Sequence, residues 1–166
     1  MPANAKIKEE LIAFLRGQLI AVVSTATREG KPESAAIFYW VNDVKNGDFS
    51  LYFVTRGNTR KMKNLLFNDE VAVVIGAEFR PSTVQIQGKA EILESADNLK
   101  NLTQLAKRIG RRPNLAKIYA GEFFPRNPFG QIEGENFVVV RVRPTWVRWM
   151  RFDQDTKKLD FHQIIG

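Results

Sequence analysis

The stretch "ESAAIFYWVNDVKNGDFSLYFVT", residues 33–55, narrows the choice of fold more than any other part of the chain. Two runs rich in β-branched and aromatic residues flank the pair Asn46-Gly47. Both residues of that pair tolerate positive φ, the requirement of a tight hairpin, so the runs 33–41 and 49–55 read as antiparallel neighbours. The second run alternates, with Phe49, Leu51 and Phe53 on one face and Ser50, Tyr52 and Val54 on the other. A chain committed to such a hairpin is poorly suited to a doubly wound parallel sheet.

The remaining segments extend this pattern. Residues 4–18 have helical periodicity, with Ile7, Leu11, Phe14 and Leu15 on one face and Ile12 at its margin. Residues 19–27, "LIAVVSTAT", read as a strand, and "REGKP" as a turn. Thr59 is placed to cap a short helix to Phe67 with Met62, Leu65 and Leu66 inward, and "EVAVVIGA" reads as a buried strand. In "STVQIQGKAEIL", Val84, Ile86, Ala90 and Ile92 oppose Thr83, Gln85, Gln87 and Lys89. Ser95 opens helical segments that run to Tyr119, followed by the aromatic, proline-rich loop "EFFPRNPFGQ". "NFVVVRVRP" and "TWVRWMRF" read as two late strands. Many strands joined by hairpins and few helices predict a mostly antiparallel barrel with peripheral helices, a single domain over residues 1–166.

Composition then limits the chemistry. There are no cysteines, which excludes disulfides, thiolate catalysis and cysteine-bound metal. The apolar share of 44% supports a packed core, and no run approaches the ~20 apolar residues that span a bilayer. A cytoplasmic protein without a membrane partner is the expectation. Lysine and arginine exceed the acids by 25 to 18, a net charge of +7 that favours anionic partners.

One concentration of that charge stands out. "FVTRGNTRKMKNLL", residues 53–66, carries Arg56, Arg60, Lys61 and Lys63 and no acid where a strand hands over to a helix. Helix N-termini favour anions, so a lysine in the first turn is misplaced for stability alone; a phosphate would reverse that preference. The hydroxyls of Thr55 and Thr59 and the side chains of Arg56 and Arg60 would add donors. A solvated basic turn is the alternative.

The succession of strand, "GKPESAAIFYW", Asn-Gly hairpin, strand, "T-x-K-x-x-N-L", buried strand and "V-Q-I-Q-G-K-A-E" resembles the FMN-binding split-barrel superfamily, the pyridoxamine 5'-phosphate oxidase-like proteins. The resemblance covers residues 11–93 well and the late strands more loosely. It implies an antiparallel split β-barrel of six to seven strands, FMN as cofactor, and a homodimer holding flavin between its subunits. It also implies that Thr59 and Lys61 hold the cofactor phosphate, with Thr55 and Arg56 beside the phosphate and ribityl chain. Ser34, Ala35 and Ala36 would border the ring, and Gln85 and Gln87 would reach the flavin across the dimer interface.

No catalytic residue can be named. The expected function is a flavin-dependent oxidation or reduction of an unidentified small molecule, where the cofactor carries the hydride chemistry and no acid–base pair is required. Alternatives are a non-catalytic flavin- or haem-binding protein and a deazaflavin-dependent reductase. The chain is shorter than pyridoxamine phosphate oxidase proper and lacks its late arginine- and histidine-bearing motif. Trp146 and Trp149 with Arg148 and Arg151 are expected to serve packing rather than nucleic-acid binding. The 123–130 loop is expected to pack, with a lid as its alternative role. His162, the single histidine, is expected at the surface, and no metal site or serine triad is expected.

Overall fold

The computed structural model describes residues 3–45, 48–76, 81–93, 137–153 and 156–166. In chain order its elements are α1 (Ala3–Gly17), β1 (Ile20–Ala26), β2 (Pro32–Lys45), β3 (Asp48–Arg56), α2 (Arg60–Phe67), β4 (Glu70–Gly76), β5 (Thr83–Ile92), β6 (Phe137–Asp153) and β7 (Lys158–Ile165). Asn46 and Gly47, the helices expected from Ser95 to Tyr119 and the loop 123–130 lie outside the described residues. On either side of the expected hairpin, Lys45 pairs with Asp48, as an antiparallel turn demands.

Every pairing is antiparallel, in the order β3-β2-β1-β4-β5-β6-β7, and a further β3–β6 pairing closes the first six strands into a barrel. The fold is thus the predicted mostly β antiparallel split barrel, its seventh strand continuing the sheet beyond β6. Alternate residues fill the barrel: Ala21 and Val23, Ile37 and Tyr39, Leu51 and Phe53, Val73 and Ile75, Val84 and Ile86, Val140 and Val142. Helix α1 adds Leu11, Ile12 and Leu15 to the same core. The buried Tyr39 hydroxyl donates to the Leu15 carbonyl over 2.7 Å, so the helix is held by direction as well as by apolar contact.

Several local expectations change. The two late strands are one, β6, running through Pro144. Proline lacks an amide donor and normally ends a central strand. Here it falls where β6 changes neighbours, since the β3 ladder stops at Val142 and the β7 ladder starts at Val147. On the other side Pro144 faces Gly88, beside a register shift between Gln87 and Gly88. The C-terminal "KLDFHQII", not anticipated as a strand, is β7. β4 is buried on one face only, with Val74 exposed. Ile92, expected inward, lies at the exposed end of β5. Both faces of β3 are covered: Tyr52 stacks on Trp40 outside the barrel, ring centroids 5.5 Å apart, with Val139 beside them.

Candidate functional site

Strand β3 ends at Arg56 and a three-residue turn delivers the chain to α2. Thr59 occupies the N-cap position, but its side chain does not cap the helix, contrary to expectation. Its hydroxyl donates instead to the Arg56 carbonyl at 3.0 Å. That single proton being used, the Thr55 hydroxyl 3.3 Å away is the donor to Thr59. Thr55 in turn accepts from Lys61 Nζ at 3.0 Å. The result is a chain of hydrogen bonds running from the ammonium through two hydroxyls to a backbone carbonyl, each polarising the next.

Lys61 therefore points back over the strand end. It borders a cavity of about 230 Å³ shared with Thr25, Glu33, Ser34, Ala35, Thr59 and Arg60. Among the described residues no carboxylate lies within 4 Å of its nitrogen. Burial pushes its pKa below the ordinary 10.5, because desolvation disfavours the charged form. A cation that is half out of water, hydroxyl-bound and without an acid partner among the described residues is suited to an anion.

The turn does have an acid, supplied by β2. Glu33 Oε1 sits 3.1 Å from Arg60 Nη1, and Oε2 accepts from Asn64 Nδ2 at 3.0 Å. Asn64 also donates to Thr25 Oγ1 at 2.9 Å. This explains the orientation of α2. Sequence periodicity put Leu66 inward with Met62 and Leu65, yet Leu66 is 72% exposed while Asn64 is 6% exposed. An amide with both protons satisfied by β1 and β2 can be buried at little cost, and it fixes which side of the helix faces the barrel. Thr25, Glu33 and Asn64 were not anticipated as site residues. The asparagine stood in the quoted motif, but nothing in the linear chain shows that Thr25 and Glu33 meet it.

The anticipated residues divide into two groups. Ser34, Ala35, Thr59 and Lys61 line one cavity, with Thr55 bonded to its lysine; Arg56 stands exposed at the strand end, its carbonyl holding Thr59. Ser34 Oγ also shares a hydrogen bond with Ser24 Oγ at 2.8 Å. Ala36 is exposed one residue further along β2. Gln85 and Gln87 are exposed on β5 and do not reach this cavity. The register Ala36–Val22–Val74–Gln85 puts them three strand spacings away, roughly 14 Å.

Among the late residues, Trp149 is buried in the core, its Nε1 donating to Ser82 Oγ at 2.9 Å. His162 is half-buried rather than on the open surface, its ring 6.3 Å from that of Trp149. Strand register explains the difference, since Trp149 and His162 are cross-strand partners. Among the described residues there is no cluster of three metal-ligating side chains, and no helix is long and apolar enough to cross a membrane.

Comparison with solved structures finds the same barrel. General stress protein 26 from Bacillus anthracis is 23% identical, with a TM-score of 0.58, 95% of this chain covered and 98% of that one. A pyridoxamine 5'-phosphate oxidase-related, FMN-binding protein from Nostoc punctiforme is 15% identical, with a TM-score of 0.54 and coverage of 99% and 94%. An F420 reductase is 20% identical, with a TM-score of 0.59 and coverage of 81% and 93%. No curated protein matches the sequence significantly. The family model described as pyridoxamine 5'-phosphate oxidase matches residues 7–151, from α1 through the barrel-closing strand β6. With barrel topology and family match in agreement over that span, the chain belongs to the pyridoxamine 5'-phosphate oxidase family.

Proposed function

We propose that this protein is an FMN-dependent oxidoreductase acting on a small molecule, with reduced nicotinamide or a similar donor as its electron source. The observation that carries this reading is Lys61: a partly desolvated ammonium without a carboxylate partner among the described residues, facing a cavity with hydroxyls on its wall. These residues fit a phosphate monoester, which would take up the remaining N–H donors of the Lys61 ammonium beside the basic strand end. Thr55 holds the amine in place, and Ser34 and Ala35 keep the wall small enough for a flat ring to approach the backbone. Arg60, held by Glu33, adds N–H donors at the rim while its charge is offset by that carboxylate. Bound FMN would supply the hydride chemistry itself.

The same reading makes the protein a homodimer with flavin at the subunit interface. Ile20, Val22 and Val74 form an exposed apolar strip on β1 and β4, between the Ser34–Ala36 side of the sheet and Gln85 and Gln87. A two-fold axis over that strip would bury it and bring the glutamines of one protomer to the β2 side of its partner. A cytoplasmic location, where reduced nicotinamide is at hand, belongs to the same proposal.

A second reading, a deazaflavin-dependent reductase, is favoured by the likeness to the F420 reductase structure and uses the same lysine. Purification followed by absorption spectroscopy and FMN titration tests both. Oxidised-flavin bands and saturable FMN binding, with bleaching by reduced nicotinamide under anaerobic conditions, are expected. A deazaflavin band in the isolated protein would support the second reading. Absence of any bound chromophore together with no FMN binding would sink the first reading, failure to bind added deazaflavin would sink the second, and a Soret band would replace them with a haem protein.

A further inference from the structure

A second concavity on the sheet shares no lining residue with the one at Lys61. Two adjacent register rows build it: Thr83–Met150–Phe161 and Gln85–Arg148–Gln163, across β5, β6 and β7. Thr83, Gln85, Arg148, Met150 and Phe161 line an open cavity of about 280 Å³. The Arg148 guanidinium lies over the Phe161 ring, its Cζ 4.9 Å from the centroid. Among the described residues no carboxylate lies within 4 Å of it. Phe161 itself is 54% exposed, although it is a large aromatic on a sheet face.

We propose that this cavity binds the carboxylate of a small planar acid, aromatic or conjugated, and that this is the substrate class of the flavin-dependent reading above, on which that second clause rests. A guanidinium held to a ring face by its charge spends no N–H on the contact, and its N–H fork matches a carboxylate bidentately. A planar acid held by the fork lies in the plane of the guanidinium and sets its apolar body beside the Arg148–Phe161 pair and the half-buried Met150. The Gln85 amide and Thr83 hydroxyl offer hydrogen bonds to ring substituents. Inorganic phosphate has no flat apolar body and would leave Phe161 and Met150 uncovered. The volume falls just below the ~300 Å³ lower range of drug-sized pockets, which suits one ring or two.

The test uses the full chain with 13C-methyl methionine, titrated with benzoate and with its neutral counterpart benzamide. Benzoate is expected to shift the Met150 methyl and leave Met62 in place, binding roughly tenfold tighter than benzamide. Arg148→Gln should weaken benzoate by roughly tenfold, with Arg148→Lys between it and the parent, because lysine keeps charge but loses the fork. The Met62 signal reports that both variants fold. FMN affinity, titrated separately, should stay within about twofold in these variants. Equal binding of benzoate and benzamide, an unmoved Met150, or an Arg148→Gln variant that loses FMN as much as benzoate would overturn the proposal. Failure of the parent to bind FMN, with the benzoate response intact, would overturn the flavin reading and leave the acid site standing.

Discussion

Lys61 and Lys63 share one short helix and one charge, yet their surroundings differ. Lys61 is drawn to Thr55 and half out of water, whereas Lys63 is exposed. Residues two positions apart on a helix are separated by about 200°, so they cannot serve one ligand. Lys61→Ala should weaken FMN binding by roughly ten- to a hundredfold, the worth of a charge-assisted hydrogen bond of about 1.5–3 kcal/mol. Lys63→Ala should cost several times less and lose even that in high salt. Fluorescence titration checks both; equal losses would mean a diffuse basic surface. The pH dependence has a definite sign. In the free protein the charged amine is penalised below its depressed pKa, and that penalty is relieved as pH rises towards 10.5, where the unfolded chain still holds the proton. Bound phosphate favours the protonated amine, so FMN affinity should be full below the depressed pKa and fall as pH rises through it, beginning below 10.5. Lys61→Arg should abolish that alkaline limb, because guanidinium stays protonated.

Among the elements, β5 and β6 show how a single residue sets a strand path. A Cβ built at Gly88 would lie 2.5 Å from the Arg143 carbonyl oxygen and 3.0 Å from Val142 Cγ1. Backbone carbonyls cannot swing aside as a side-chain tip can. Gly88→Ala is therefore expected to destabilise by about 1–3 kcal/mol, the range of core overpacking, while a control Gly17→Ala, with open space around it, should not lower stability. Denaturant unfolding measures both. The β5 alternation was legible because Val84 and Ile86 recur every second residue beside polar Gln85 and Gln87. Continuity of β6 through Pro144 was not, because proline is tolerated here where the β3 ladder has ended and the β7 ladder has not begun, and ladders belong to the assembled sheet. The facing of α2 was hidden for a related reason: Asn64 is polar in sequence and becomes buried only when Thr25 and Glu33 are there to receive it.

For the whole molecule, the exposed pair Val22 and Val74, cross-strand partners on β1 and β4, gives the test of assembly. Light scattering is expected to give twice the mass of the 19.0 kDa chain. Val74→Lys should shift the protein to monomer and weaken FMN binding, since a dry interface cannot take an unpaired ammonium. The barrel should remain folded by circular dichroism, because that side chain already faces water in the single chain. A stable monomer in the parent, or FMN affinity untouched when the dimer is lost, would remove the interface from the site.

The chain by itself determined the local chemistry and the class of fold. Alternating apolar residues, hairpin signals and the absence of βαβ spacing left an antiparallel barrel as the consistent solution, and the basic hydroxyl-x-lysine stretch at a helix start marked a candidate anion site. These are short-range properties, fixed within a few residues by backbone sterics and side-chain period. What the tertiary structure decided was every meeting between distant segments. It supplied Glu33 to Arg60, turned Asn64 inward, and set Gln85 three strands from Ala36 within one chain. It also placed Arg148 over Phe161. Sheet register makes those pairings, and register depends on the summed packing of all strands at once, since a slip by one residue would exchange the barrel interior for its surface.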